Sequence, residues 1–147
     1  MEDSGKRWYE MFLGEYIHKL DNKNRIMMPS DFREGLDGYF YLTKGPEKSL
    51  IVYTEEEFQK RSAALDQLAY ENKKNRAIKR LFFSSTVKVN LDKQGRILIN
   101  KSLKDYAGIS DEAMIIGNNT TIEIWDKDIW DEYINEVEVN LSDIMDE

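Results

Sequence analysis

The pattern of apolar and polar positions is written twice along the chain. A shift of 71 residues lays Leu20-Asp21-Asn22-Lys23-Asn24-Arg25-Ile26 over Leu91-Asp92-Lys93-Gln94-Gly95-Arg96-Ile97, and the match continues with Met27 and Met28 over Leu98 and Ile99 and with Phe32 over Leu103. One inserted residue later, Ser49-Leu50-Ile51-Val52-Tyr53 meets Thr121-Ile122-Glu123-Ile124-Trp125. Each half predicts a strand, a tight turn, a strand, a short helix, a strand, a turn, a strand and a helix. Two copies suggest a pseudo-dimer within one chain, since stacked repeats generally need three or more units to be stable. Asp opens the first turn of each half and Asn24 or Gly95 closes it, the residues a type I turn ending in a left-handed conformation prefers, and both turns read as hairpins. Pro29 and Ser30 open a short helix ending near Gly35, and Asn100 opens its counterpart, which stops at Gly108. Thr54 with Glu57 forms a capping box for a helix carrying Phe58, Leu65 and Leu68 to about Ala69. Trp130, Tyr133, Ile134 and Val137 stand at the spacing of an amphipathic helix beginning after Asp126. A third helix, with Ile78, Leu81 and Phe82 among basic residues, follows the polar link from Leu68 to Asn75.

With 147 residues, 41% hydrophobic and 12% aromatic, the chain is sized for one compact domain or two small units sharing a core, and wholesale disorder is excluded. No apolar run reaches the roughly 20 residues of a membrane span. Met1 to Glu10 lacks the apolar core of a secretory signal, so a cytoplasmic address is expected. With no cysteine, disulfides and thiolate metal sites are excluded, and one histidine, His18, leaves no histidine cluster. No metal, cofactor or small-molecule substrate is expected. Glu55, Glu56, Glu57, Asp126, Asp128, Asp131 and Glu132 sit mostly at helix N-termini, where they complement the macrodipole, and an enzyme is disfavoured. His18, beside the first turn, is read as a surface residue.

The net charge of −7 hides a segregation. Residues 73 to 104 hold ten Lys or Arg against Asp92 alone, whereas residues 105 to 147 hold thirteen Asp or Glu against Lys127 alone. Local potential therefore matters more than net charge. Two readings of the basic helix stand side by side: it pairs with the acidic C-terminal segment, within the chain or between neighbours, or it meets a polyanion.

Turn geometry accounts for Asp21, Asp92, Asn24 and Gly95, but not for Arg25 and Arg96. Each arginine either lies over the sheet, pairing with its own aspartate, or presents its planar fork outward. Duplication favours the second reading, because in a closed pseudo-symmetric pair both tips lie on one side, with Lys19, Lys23, Lys88 and Lys93 around Arg25 and Arg96. A two-stranded ribbon fits the major groove of B-DNA, and an aspartate that holds the guanidinium lowers the rotamer entropy lost on binding.

These residues carry a resemblance. Met11-Phe12-Leu13-Gly14, the Leu-Asp-x-Lys-x-Arg-Ile and Asp-x-x-Gly-Arg-Ile-Leu-Ile segments, Tyr106-Ala107-Gly108 and Glu123-Ile124-Trp125-Asp126 resemble the landmarks of the MraZ family, bacterial transcriptional regulators of the division and cell-wall gene cluster. The resemblance implies an α+β fold in which two tandem, pseudo-symmetric swapped-hairpin motifs of the AbrB type form one β-barrel flanked by helices. It implies promoter binding on double-stranded DNA at direct repeats through Asp21 to Arg25 and Asp92 to Arg96, a ring-shaped homo-oligomer and a nucleoid-associated location. It also makes Met11 the natural first residue. Asn24 stands where many members have Gly, and Asn100 where proline is usual. The expected organisation is an N-terminal extension or cloning remnant (1–10), a first repeat with its helix (11–69), a linker and basic helix (70–85), a second repeat (86–139) and an acidic tail that frays (140–147). A different class of function, a protein-interaction or antitoxin-like module using the acidic C-terminal third, stands as the alternative.

Overall fold

The two halves exchange strands. The computed structural model describes residues 11–146, and the expectations for residues 1–10 and for Glu147 lie outside it. The first half supplies β1 (Glu15–Lys19), β2 (Arg25–Met27), α1 (Ser30–Arg33), β3 (Phe40–Lys44), β4 (Leu50–Tyr53) and α2 (Glu55–Asp66). After α3 (Lys73–Ser85), the second half supplies β5 (Val87–Val89), β6 (Arg96–Leu98), α4 (Lys101–Ala107), β7 (Glu112–Asn118), β8 (Thr121–Asp126) and α5 (Lys127–Val139), followed by α6 (Leu141–Met145). All pairings are antiparallel: β1 lies on β7 of the other half and β5 on β3, while β4 lies beside β8 and β2 beside β6. The chain is thus α+β, with a six-stranded sheet in the order β1-β7-β8-β4-β3-β5 and a two-stranded ribbon, β2-β6.

Two expectations need correction. The barrel is not closed among the described residues: the sheet has two ends, β1 and β5, and the three-residue strands β2 and β6 pair only with each other. Neither Asp-to-Arg turn joins a paired hairpin, because β1 and β2 continue into different sheets, as do β5 and β6. The chain is instead held across the turn by the Arg25 carbonyl accepting from the Asp21 amide at 2.9 Å.

Burial explains the crossing. Ile26 and Ile97 face each other in the ribbon and are fully buried, joined in one core by Phe32 and Leu103 from the short helices and by Leu50, Val52, Ile122 and Ile124 from the central strands. The core draws on both halves, with Ile26 matched by Ile97, Met28 by Ile99 and Phe32 by Leu103, so neither half encloses it alone. On the outer face of the sheet, α2 lays Phe58 on Tyr41 with centroids 4.0 Å apart, and α5 lays Trp130 on Trp125 at 5.1 Å. Helix ends follow the expected chemistry. Thr54, Asn72, Asn100 and Asp126 each accept an amide hydrogen three residues on, and Gly108 closes α4 at φ 67°. The capping box of α2 is half made, since the Glu57 carboxylate reaches Lys60 instead.

Phe82 is the buried residue of α3, where it stacks on Phe58, while Ile78 and Leu81 face outward. Residues 141–145 form a helical turn whose apolar side chains are exposed.

Gly117 has a separate role. A Cβ there would stand 2.2 Å from the Phe12 carbonyl carbon, because the backbone of Phe12 and Leu13 crosses β7 at that point. Gly117→Ala is therefore expected to lower stability by about 1–3 kcal/mol, the usual cost of overpacking against backbone that is itself held. Ile97→Ala, which empties the centre of the core, is expected to cost about 2–5 kcal/mol. Urea denaturation of both variants checks the pair.

Candidate nucleic-acid interface

Strand alternation decides where the arginines go. In the β2-β6 register Arg25 is opposite Leu98 and Met27 opposite Arg96, so these four side chains share the outer face while Ile26 and Ile97 fill the inner one. Arg25 and Arg96 are diagonal neighbours, with Cβ atoms about 7–8 Å apart by sheet geometry. Met27 and Leu98, the latter 56% exposed, occupy the other diagonal.

Each arginine is held by its own turn in the same way. The Asp21 Oδ1 accepts from the amides of Lys23 and Arg25, both at 2.9 Å, and its Oδ2 accepts from Arg25 Nε at 2.8 Å. Asp92 repeats the set with the amides of Gln94 and Arg96 and with Arg96 Nε at 2.9 Å. Asn24 and Gly95 take the left-handed conformation at φ 62° and 84°. Their carbonyls, turned out by that conformation, accept from the other half: Asn24 from the Ile99 amide and Gly95 from the Met28 amide, both at 2.9 Å. Each turn is therefore locked to the end of the other half's ribbon strand as well as to its own aspartate.

The two forks are not equally open. Arg25 spends Nε on Asp21, and its terminal nitrogens carry no partner among the described residues. Arg96 also donates from Nη2 to Gln94 Oε1 at 3.1 Å, and its Nη1 lies 3.7 Å from Asp21 Oδ2. That last contact bridges the turns, placing both arginines around one carboxylate. Such part-exposed pairs are screened by water and add little to stability, so their effect is to orient the guanidinium rather than to hold the fold.

Of the surrounding lysines, Lys23 and Lys93 stand on the turns themselves, and Lys19 is exposed on β1 just before the first. Lys88 is not brought to this face by any contact: its Nζ sits 5.3 Å from the Tyr39 ring centroid, near Glu55. Lys19, Lys23, Arg25, Lys93 and Arg96 outnumber Asp21 and Asp92, a positive excess in the two turn segments. His18, half-buried on β1, has its pKa lowered by desolvation and then by the charge of Arg33, so it is neutral near pH 7.

Two residues of the site have no motif to announce them. Leu98 is an exposed apolar member of the face, opposite Arg25, which only the β2-β6 register reveals. Arg33, at the end of α1, donates from Nε to the Met28 carbonyl at 2.9 Å and covers Gly95 so closely that a Cβ there would lie 2.6 Å from its Cζ. The repeat signals it only as the counterpart of Lys104.

Comparison with known proteins now bears on this geometry. The family described as "MraZ protein, putative antitoxin-like" matches the chain twice in succession, over residues 11–81 and 82–147. Proteins from Finegoldia magna and Acetivibrio thermocellus, both named transcriptional regulator MraZ, are each 43% identical over 136 residues, covering 92% of this chain and 95% of theirs. The chain belongs to the MraZ family. Each of the two family matches contains one Asp-to-Arg turn, so the MraZ repeat and the turn repeat coincide.

Amide donation from Arg25, followed by that of Lys23 and by the guanidinium, holds Asp21 below the ordinary carboxylate range despite some desolvation; Asp92 is lowered by the Arg96 amide, then by its guanidinium and the Gln94 amide. A carboxylate whose pKa is lower in the folded chain contributes stability that is complete above the ordinary value of 3.8 and is lost as pH falls through the folded value. The Asp21→Asn/Asp92→Asn variant is expected to show a shallower loss of stability than the parent between about pH 5 and pH 1, measured by urea denaturation across that range. Parallel curves would show that the two carboxylates are not held.

Proposed function

We propose that this chain is a sequence-selective DNA-binding transcriptional regulator that reads direct repeats in the promoter of a division and cell-wall gene cluster, with no catalytic step. The observation that carries the reading is the placement of Arg25 and Arg96 on one outer face, each guanidinium held through Nε by an aspartate of its own turn. A fork restrained in this way keeps its Nη edge for a phosphate or for guanine O6 and N7, and it loses little rotamer entropy on binding. Lys19, Lys23 and Lys93 add phosphate contacts, with Lys88 farther out. The relatives' name, transcriptional regulator, supports the same reading. So does the exchange of strands between halves, which is the pairing a tandem swapped-hairpin unit of the AbrB type requires. We place the chain in the cytoplasm, on the nucleoid, as a homo-oligomer arranged in a ring. One protomer makes few phosphate contacts, whereas tethered protomers on repeated sites gain through effective concentration.

The alternative is an interaction module whose acidic C-terminal third captures a basic protein. Binding to DNA with a steep salt slope supports the first reading, and its absence beside a co-purifying basic protein supports the second.

Arg25→Ala and Arg96→Ala are each expected to weaken binding to the DNA preceding the chain's own operon by about 1–3 kcal/mol and to reduce the salt slope by about one, with thermal stability unchanged. Fluorescence anisotropy over a salt series measures both. Arg25→Ala is expected to cost more, since the Arg96 fork must first leave Gln94 and Asp21. Parental affinity in both variants would sink the paired-arginine reading.

A further inference from the structure

The outer face of the β2-β6 ribbon carries a feature that the arginines leave unexplained. In a strand whose inner residue fills the core, the outward positions are ordinarily polar. Here each arginine is followed, two residues on and on the same outer face, by an apolar side chain: Met27 after Arg25 and Leu98 after Arg96. Met27 is half-buried, whereas Leu98 is 56% exposed.

The ladder fixes what stands beside Leu98. The amides of Met28 and Ile99 donate to the Gly95 and Asn24 carbonyls, so the hydrogen-bonded pairs are Asn24 with Ile99, Ile26 with Ile97 and Met28 with Gly95. Arg25 with Leu98, and Met27 with Arg96, are then the non-hydrogen-bonded pairs, in which opposite side chains stand closest, with Cβ atoms about 5 Å apart. Arg25 is also the arginine whose terminal nitrogens carry no partner among the described residues. The more open guanidinium and the most exposed apolar side chain of the ribbon are thus direct neighbours. A lone exposed leucine is common on a protein surface. This one is flanked by Arg25 across the ladder and by Arg96 two residues back, on the face that the reading above turns to DNA.

The major groove offers one apolar group, the C5 methyl of thymine, while guanine, adenine and cytosine present only polar groups there. With Arg25 on a phosphate or a guanine edge, the Cβ separation of about 5 Å carries Leu98 between one and two base steps of about 3.4 Å along the groove. A leucine at that place gains by burying a methyl and loses wherever it takes water from an unpaired amine or carbonyl. We propose that Leu98 is a specificity-determining residue, whose side chain packs on the C5 methyl of a thymine beside the Arg25 contact and so selects thymine over the other bases there. The inference rests on the DNA-binding reading above and adds to it a base that no charged contact would choose.

The test uses the full chain and two duplexes. The DNA preceding the chain's own operon is amplified once with thymidine triphosphate and once with deoxyuridine triphosphate in its place, from primers of the same kind, so that the products differ only in C5 methyl groups. Fluorescence anisotropy at one salt concentration gives the affinity for each. The parent is expected to bind the uracil duplex at least about four-fold more weakly, the worth of burying one methyl. Leu98→Ser is expected to bind the thymine duplex more weakly than the parent does and to bind the two duplexes alike. Leu98→Met, which keeps an apolar side chain, is expected to keep the preference. Because Leu98 is exposed, neither change is expected to unfold the chain, and circular dichroism checks this. Equal affinity of the parent for the two duplexes overturns the proposal and leaves the arginines to be judged by their own variants. The same ratio between duplexes in the parent and in Leu98→Ser also overturns it, because the methyl then acts through the duplex and Leu98 through the fold or another chain. If the parent binds neither duplex, the DNA-binding reading falls and this inference falls with it.

Discussion

The pair of backbone hydrogen bonds that ties each Asp-to-Arg turn to the residue just past the other half's ribbon strand is the constraint on which the rest of the molecule depends. Each turn ends in a left-handed residue whose carbonyl accepts an amide of the other half, Asn24 from Ile99 and Gly95 from Met28. Once those bonds form, β2 and β6 must run antiparallel with Ile26 against Ile97. That single register buries both isoleucines and sends both arginines outward. A slip of one residue would reverse the faces, putting two guanidinium groups into the core, and this is what makes the register so strongly specified.

The same constraint explains why the fold is a crossed one. With β2 and β6 committed to each other, β1 and β5 have no partner in their own half's turn strand, and they complete the other half's sheet instead, β1 on β7 and β5 on β3. Core and interface are therefore two sides of one ribbon. The pseudo-symmetry is exact in topology and broken in chemistry: Arg33 covers Gly95, Lys104 is its counterpart in the other half, and Gln94 engages Arg96 where Lys23 stands in the first turn. Two loops of identical fold thus present forks of different freedom to the same surface.

Charge is segregated along the chain. The candidate DNA face draws its excess from the turns, while α3 and the α5-α6 pair carry opposite charges that find few partners within the chain. A net charge of −7 is compatible with a polyanionic ligand because the acidic residues are concentrated in the C-terminal third, away from the sequence of either turn.

Much of this was legible in the sequence, for reasons of local physics. The repeat, the turn residues, the helix starts at Thr54, Asn100 and Asp126 and the stop at Gly108 all depend on contacts within a few residues, so spacing alone declares them. The Asp-to-Arg pairs were visible for the same reason, each pair closing over four residues. What depends on contacts between the halves was not legible. Hydrophobic period cannot say that β2 pairs with β6 instead of folding back on β1, that the sheet has open ends at β1 and β5, that Leu98 is exposed beside the arginines, or that Ile78 and Leu81 face outward. Those outcomes turn on which apolar faces meet, a choice among long-range partners whose free energies are set by the whole core. The sequence by itself determined the elements, their caps and the two held arginines; only the tertiary structure decided that the arginines share a face, because that requires the register of strands 71 residues apart.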